Sequence, residues 1–247
     1  MAGRDPLDST TIERDTQGYV NPTGQLEGKK IGLIQEYMGE GIDADVKARI
    51  QDVADKLKAA GAEVHEVSLP SLPLALAVYY IVCPAEISSN LSRYDGQRYG
   101  HHVDNANNLE ESYTKARGTG FGKEAKRRIM IGTYVLSSGY YDAYYSKAQT
   151  VRTKLINEFK QAFEDVDFLL GPTAPTPAFK IGENTNDPLQ MYLADVMTVA
   201  VSLAGIPAAI VPAGEVDGLP VGAQLMAAQR QDRALLGFAK ATEELLK

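Results

Sequence analysis

The sequence is short of several things that usually announce a function. Cys83 is the one cysteine among 247 residues, so no internal disulfide can form and a cysteine-based zinc site is excluded. Basic residues are in the minority: 25 Lys and Arg stand against 32 Asp and Glu, a formal net charge of −7. Phosphate recognition runs on clustered Lys and Arg, so a stand-alone nucleic-acid binder is not expected. The opening MAGRDPLDSTTIERD lacks the apolar core of a signal peptide. The most apolar stretch, Leu72 to Ile87, holds Pro73, Pro84 and Glu86, is short for a bilayer span, and reads as core. No repeat of fixed period stands out, which sets solenoids and propellers aside. With 22 glycines and 12 prolines the composition is ordinary, which argues against collagen and low complexity. A soluble, cytoplasmic chain with enough length for a buried core is expected.

What is present is an alternation of short apolar runs and amphipathic stretches. Residues 1–27 are polar and turn-rich, with Asp5-Pro6, Asn21-Pro22 and Gly24, and predict an extended arm. The body, 28–247, opens on Lys30 to Ile34, a buried-strand run. Val46, Ile50, Val53 and Leu57 then share a helical face, with Asp43 or Asp45 as N-cap and Gly61 as the left-handed residue at the end. Ala62 to Val67 follows as a strand, so the three elements predict a parallel pair with a right-handed crossover. Leu72 to about Asn90 is apolar nearly all round and predicts a helix buried on most sides. Helix returns from Leu109 and, after Gly118, Gly120 and Gly122, from about Lys123 to Glu164, broken near Ser137-Ser138-Gly139. Phe168 to Leu170 is a short buried strand, and the loop from Thr173 to Asp187 leads into a helix opening at Pro188. Ala208 to Val211 and Val221 to Leu225 flank Asp217-Gly218, a hairpin signal with a longer loop; an amphipathic helix from Arg233 to Lys247 ends the chain. The fold class is α/β: a mixed β-sheet covered by helices on both faces.

Few residues stand out as chemistry. His101-His102 lacks a third ligand at metal spacing and reads as a polar loop pair. His65 belongs on a surface or edge strand, and Cys83 is expected as a small core residue. Ser137-Ser138 sits in a helical tract with no base nearby, so a helix kink is the stronger reading. Gly118, Gly120 and Gly122 lack the GK[ST] ending of a phosphate loop and read as a flexible turn. Among the tyrosines, helical spacing puts 134, 141 and 145 on one face and 140 with 144 on another. Arg127 and Arg128 belong to a basic run that by itself is a solvated helix start. Asp195 is more informative. Flanked by Met191, Leu193, Val196 and Met197 in an apolar helix, its carboxylate would be buried and in need of a partner.

The motifs of the second half carry a resemblance. Gly205-Ile206-Pro207 through Val211-Pro212-Ala213-Gly214, then Asp217 to Gln224, resembles the C-terminal hallmark of the amidase signature family. Ser88 to Gly96 with Arg98-Tyr99-Gly100, Gly122 to Ile129, Leu136 to Tyr145 and Gly171 to Pro175 are similar to one branch of it. That branch is formed by the glutamine-hydrolysing A subunits of tRNA-dependent amidotransferases, and Asp5 to Thr10 extends the match to the start. The resemblance implies the amidase signature fold and a Ser–cis-Ser–Lys triad in a G-G-S-S-G-G type stretch. No such stretch occurs in these 247 residues. The expectation is therefore the C-terminal half of one amidase domain, inactive alone and with no catalytic residue of its own. By motif context Tyr79, Arg128 and Asp195 match the family's glutamine clamp, with Tyr80 and Arg127 as the neighbouring positions. Arginine offers a planar fork to the α-carboxylate, and an aspartate holds the α-ammonium. The resemblance further implies glutamine as ligand, the amidotransferase B and C subunits as partners, and tRNA contact mainly through the B member. It places ATP and Mg²⁺ on the partner, no cofactor or metal on this chain, and no membrane. A fragment of a general amidase and a non-enzymatic α/β binding module are the alternatives.

Overall fold

A computed structural model describes residues 3–183 and 188–247; Asp187, the predicted end of a loop, lies outside them. The chain forms two compact units, Met1–Pro73 with Leu155–Lys247, and Leu74–Lys154.

The first unit is built on a five-stranded mixed sheet. Its strands are β1 (Lys30–Ile34), β2 (Glu63–Val67), β3 (Phe168–Pro172), β4 (Ala208–Val216) and β5 (Leu219–Ala227), in the order β2-β1-β3-β5-β4. β1 pairs in parallel with both β2 and β3, whereas β5 is antiparallel to β3 and β4. Between β1 and β2 runs helix α1 (Ala44–Ala59). Its first-turn donors are met by Asp43, whose Oδ1 accepts from Asp45 N at 2.8 Å and Val46 N at 3.4 Å. At the other end Gly61 takes φ 91°, the left-handed conformation that spares a Cβ. Alternation along the strands divides the core. Ile31, Leu33, Phe168 and Leu170 join Val46, Ile50, Val53 and Leu57 of α1 and Leu235 and Phe238 of α8 (Asp232–Leu246). The rings of Phe168 and Phe238 stack with centroids 4.1 Å apart. Ile34, Leu169 and Met226, which point the other way, are fully buried too. Further buried side chains come from α5 (Lys147–Asp165) and α7 (Val199–Ala204).

Residues 3–27 form neither helix nor strand but are fastened to α8. Arg14 pairs with Asp232 at 3.0 Å, and Gly24 lies so close to Gly237 that a Cβ on either would meet the other segment's backbone at 2.3 Å. The β4–β5 hairpin is tighter than the sequence suggested. Asp217 (φ 52°) and Gly218 (φ 76°) alone form the loop, both in the left-handed region, and the strands extend to meet them. An extra residue enters β4 between Pro212 and Glu215, where Gly214 has φ 94°. The helix predicted from Pro188 exists as α6 (Pro188–Leu193).

The second unit is helical: α2 (Ala75–Leu91), α3 (Leu109–Gly120) and α4 (Lys123–Val135), then a π-helical turn at Asp142–Ser146 and the start of α5. Three expectations are corrected here. α2 is not buried on most sides: Ala75, Val78, Pro84 and Ala85 are its buried residues, and Cys83 is only half-buried. By length and composition the 20-residue stretch Leu72–Leu91, one-third buried, suffices to cross a bilayer, so it is not too short for one. Gly118 and Gly120 are not a flexible turn but the last turn of α3, whose start is capped by Asn108 Oδ1 on Glu111 N at 2.8 Å.

Candidate functional site

The site grows from the contact between α2 and α4, the main packing within the second unit. Gly132 lets the helices meet: a Cβ there would stand 1.9 Å from the Pro84 carbonyl oxygen. This close approach sets Tyr79, Tyr80 and Cys83 of α2 beside Glu124 and Arg128 of α4. Arg128 is held from three sides. Its Nε donates to Glu124 Oε1 at 2.9 Å, its guanidinium donates to the Tyr79 hydroxyl, and its Cζ lies 5.6 Å from the Tyr80 ring centroid. Tyr79 and Tyr80 meet edge to face at 5.1 Å.

These contacts set the charge states. Partial burial pulls the Arg128 guanidinium down, but Glu124 and the two tyrosines outweigh it and hold its pKa above the ordinary arginine value. The cation is permanent. The Tyr79 hydroxyl is pushed up by burial and by its hydrogen bond with Cys83, against the opposing pull of Arg128. It stays a neutral phenol, able to donate.

Of the sequence candidates, Tyr79 and Arg128 are brought together, with the Tyr80 ring edge to face with Tyr79 and facing the Arg128 guanidinium. Arg127 is exposed and turned to the other oxygen of Glu124. Asp195 corrects the sequence reading. It lies in the first unit, in a turn between α6 and α7, and it is exposed. Its apolar neighbours suggested a continuous helix, but α6 ends at Leu193, and the Asp195 carbonyl accepts from Thr198 N at 3.0 Å and Val199 N at 3.2 Å. An exposed carboxylate needs no partner, so the burial argument for Asp195 falls and motif context alone supports it. The same turn borders an apolar cleft of about 430 Å³ in the first unit, lined among others by Tyr37, Ile42, Phe179, Leu193 and Met197 but not by Asp195. Sequence reasoning missed Glu124 as the residue that aims Arg128. The signal was available: a glutamate four residues before an arginine is a helix-face pair.

The remaining candidates find structural places. His101 Nε2 lies 3.0 Å from Thr119 Oγ1, and His102 Nδ1 donates to the Gly96 carbonyl at 2.7 Å. His65 is exposed on β2 at the sheet edge. Among the described residues no group of three or more His, Cys, Asp or Glu is placed to hold a metal. Ser137 makes the expected kink: its Oγ donates to the Tyr134 carbonyl at 2.7 Å, and Gly139 turns the chain at φ 88°. That kink regroups the tyrosines. Tyr134 faces Tyr140 at 4.4 Å and Tyr144 at 6.1 Å, while Tyr141 pairs with Tyr145 at 5.1 Å. The faces drawn from unbroken helical spacing are therefore wrong for Tyr134, because Gly139 resets the helix phase.

Known proteins match this chain along almost its whole length. The A subunit of the glutamyl-tRNA(Gln) amidotransferase of Thioalkalivibrio sulfidiphilus is 51% identical over 240 residues, 97% of this chain and 50% of that protein. Its counterpart from Geobacillus thermodenitrificans is 50% identical over 245 residues, 99% of this chain and 50% of its own. Among solved structures, the corresponding Thermotoga maritima protein superposes with a TM-score of 0.75 at 36% identity, covering 98% of this chain and 48% of that one. The chain thus spans about half the length of the curated relatives it matches. The family model described as Amidase runs over residues 1–236, and the chain belongs to the amidase family.

Proposed function

We propose that this chain is the glutamine-binding, C-terminal half of the subunit that hydrolyses glutamine in a tRNA-dependent amidotransferase. The acceptor is Glu-tRNA(Gln), Asp-tRNA(Asn) or both. The observation that carries the reading is the aimed guanidinium of Arg128. With Nε fixed by Glu124 and one N–H on Tyr79, the remaining N–H groups form a preset fork for a carboxylate. Supporting it is the 50–51% identity to the glutamyl-tRNA(Gln) amidotransferase proteins over nearly the full chain. In this reading Arg128 binds the glutamine α-carboxylate, Tyr79 lines the pocket, and Asp195 receives the α-ammonium. A neutral aliphatic or aryl amide gains nothing from such an opposite-charge pair, which sets glutamine apart from the substrates of general amidases.

Hydrolysis itself requires a nucleophile that these residues do not supply. The Ser–cis-Ser–Lys triad of the family belongs to a Gly/Ser-rich stretch absent from the sequence, so the chain alone is inactive. In the complete protein the serine attacks the glutamine side-chain amide, the C–N bond breaks so that ammonia leaves for a partner subunit as the seryl acyl-enzyme forms, and water then frees glutamate from the serine. ATP and Mg²⁺ act on the partner, where they activate the acceptor carboxylate, and most tRNA contact lies there. The setting is cytoplasmic.

The test is steady-state glutaminase kinetics on the complete protein. Arg128→Ala is expected to raise the glutamine KM at least tenfold with an unchanged melting temperature, and Arg128→Lys to recover little of it, since a point charge is not a fork. An unchanged KM would reject the clamp. Glutamine hydrolysis by the pure 247-residue chain, lost in Asp195→Ala, would reject the inactivity.

A further inference from the structure

We propose that Gln224 is a positioning residue for glutamine binding, its side-chain amide setting the direction of Asp195 from inside the sheet. The inference rests on the reading of Asp195 as the group that receives the α-ammonium. Gln224 is an unusual residue for its place. β5 lies between β3 and β4, and Gln224 stands opposite Gly171 of one and Ile210 of the other. Ala223, Leu225 and Met226 around it are fully buried, and Gln224 itself is 2% exposed. Two residues from Met226, it points to the same face of the sheet. A leucine or methionine would fill such a position with no polar atom to satisfy, whereas a buried amide is costly unless it is hydrogen-bonded. The bond it makes is long-range: Gln224 Nε2 donates at 2.9 Å to the carbonyl of Met197, 27 residues earlier in the chain.

Met197 lies two residues past Asp195, in the turns between α6 and α7, and is itself buried. The other bonds of that segment are local. Asp195 N donates to the Tyr192 carbonyl at 3.1 Å and Val196 N to that of Leu193 at 3.2 Å. The Asp195 carbonyl accepts from Thr198 N, Val199 N and, at 3.1 Å, Thr198 Oγ1. Each of these joins residues three or four apart, so together they fix the shape of the turn but not its place against the sheet. The Gln224 amide supplies that anchor through the Met197 backbone. An exposed carboxylate such as Asp195 has no packing around it to choose its direction, so the backbone beneath it aims it. Loss of the anchor frees the turn to slide, and a misplacement of about 1 Å can weaken a positioned contact by as much as a hundredfold.

The experiment is glutamine hydrolysis by the complete protein, with 4-carbamoylbutanoate, which is glutamine without its ammonium, as the competing ligand. Gln224→Met keeps the volume and loses the donor; Gln224→Asn keeps the amide but is one methylene short of the carbonyl. Both are expected to raise the glutamine KM about tenfold, with kcat within about twofold and the inhibition constant of the ammonium-free analogue unchanged. In an Asp195→Asn background Gln224→Met should add nothing, because the group it aims is already lost. A merely structural role would weaken glutamine and analogue alike and would add to Asp195→Asn, and that pattern would overturn the proposal. Failure of both glutamine variants to fold would overturn it too, by making Gln224 a folding residue. A raised KM in Asp195→Asn beside an unchanged KM in the Gln224 variants would reject the proposal alone. An unchanged KM in Asp195→Asn would reject the reading of Asp195 and take the proposal with it.

Discussion

Gly132→Ala is the most demanding test of the α2–α4 contact, because it sets two known effects against each other. In a helix interior, alanine is favoured over glycine by about 1 kcal/mol. Here the added Cβ would stand 1.9 Å from the Pro84 carbonyl oxygen, 2.5 Å from its carbon and 2.7 Å from Ser88 Cβ. Two of these are backbone atoms of α2, which cannot rotate away. To reach even a 3.0 Å contact the helices must part by roughly 1.1 Å, and overpacking on this scale costs about 1–3 kcal/mol or more. Overpacking against fixed backbone falls at the upper end of that range and wins, with a net loss of up to about 2 kcal/mol, or a melting temperature lower by up to roughly 8 °C for a chain of this size. The control is Gly118→Ala, on an exposed helical position with nothing within 4 Å of the new methyl. That variant should be unchanged or up to about 1 kcal/mol more stable. Circular dichroism melts of the two variants against wild type decide the matter. In the complete protein, Gly132→Ala should also raise the glutamine KM by moving Tyr79 off Arg128, and Gly118→Ala should not. Two glycine variants shifting in the same direction, or Gly132→Ala melting at or above wild type, would refute the reasoning.

Three further outcomes are expected. Phe238→Ala, which removes a ring 1% exposed and stacked on Phe168, should cost about 3–5 kcal/mol by urea unfolding, and a loss under about 1 kcal/mol would deny that α8 closes this core. Asp43→Ala should cost about 1 kcal/mol through the freed N–H groups of Asp45 and Val46, and Asp43→Asn should restore most of it; equal losses in both would point away from capping. Tyr134, pushed up to about 12 chiefly by its hydrogen bond with Tyr140, contributes stability that is complete below the ordinary tyrosine value of about 10 and lost as pH rises through about 12. In Tyr140→Phe one phenol should titrate earlier by phenolate absorbance, and an unaltered titration curve would dismiss the interaction.

The sheet and its flanking helices were legible because their signals are short-range and periodic. α1 announced itself through Val46, Ile50, Val53 and Leu57, and its ends through Asp43 and Gly61. Misreadings cluster where the period breaks. Asp195 sits among residues that continue a helical pattern, yet a backbone turn intervenes after Leu193, and apolar neighbours then say nothing about burial of the carboxylate. The tyrosine faces shifted for the same reason: Gly139 restarts the helix in a new phase. α2 reads as a core helix from composition, but composition reports what a segment can bury and not what surrounds it. Arg128 was legible as a candidate only by resemblance. Its holding contacts with Tyr79, Tyr80 and Glu124 depend on the α2–α4 approach, which no local pattern encodes.

The position of β1 between β2 and β3 has a consequence for biosynthesis. β2 follows β1 within one helical connection, but β3 begins at Phe168, about a hundred residues beyond the end of β2 at Val67. At ribosomal speeds of roughly 5–20 residues per second, that interval lasts about 5–20 seconds. Throughout it the second edge of β1 is an unpaired template for any extended chain nearby. The helical unit made in the meantime can gather its own contacts locally, whereas Ile31 and Leu33 must wait for Phe168 and Leu170. Slowing translation across residues 68–167 should therefore raise aggregation of the nascent chain more than slowing it after β3 has emerged.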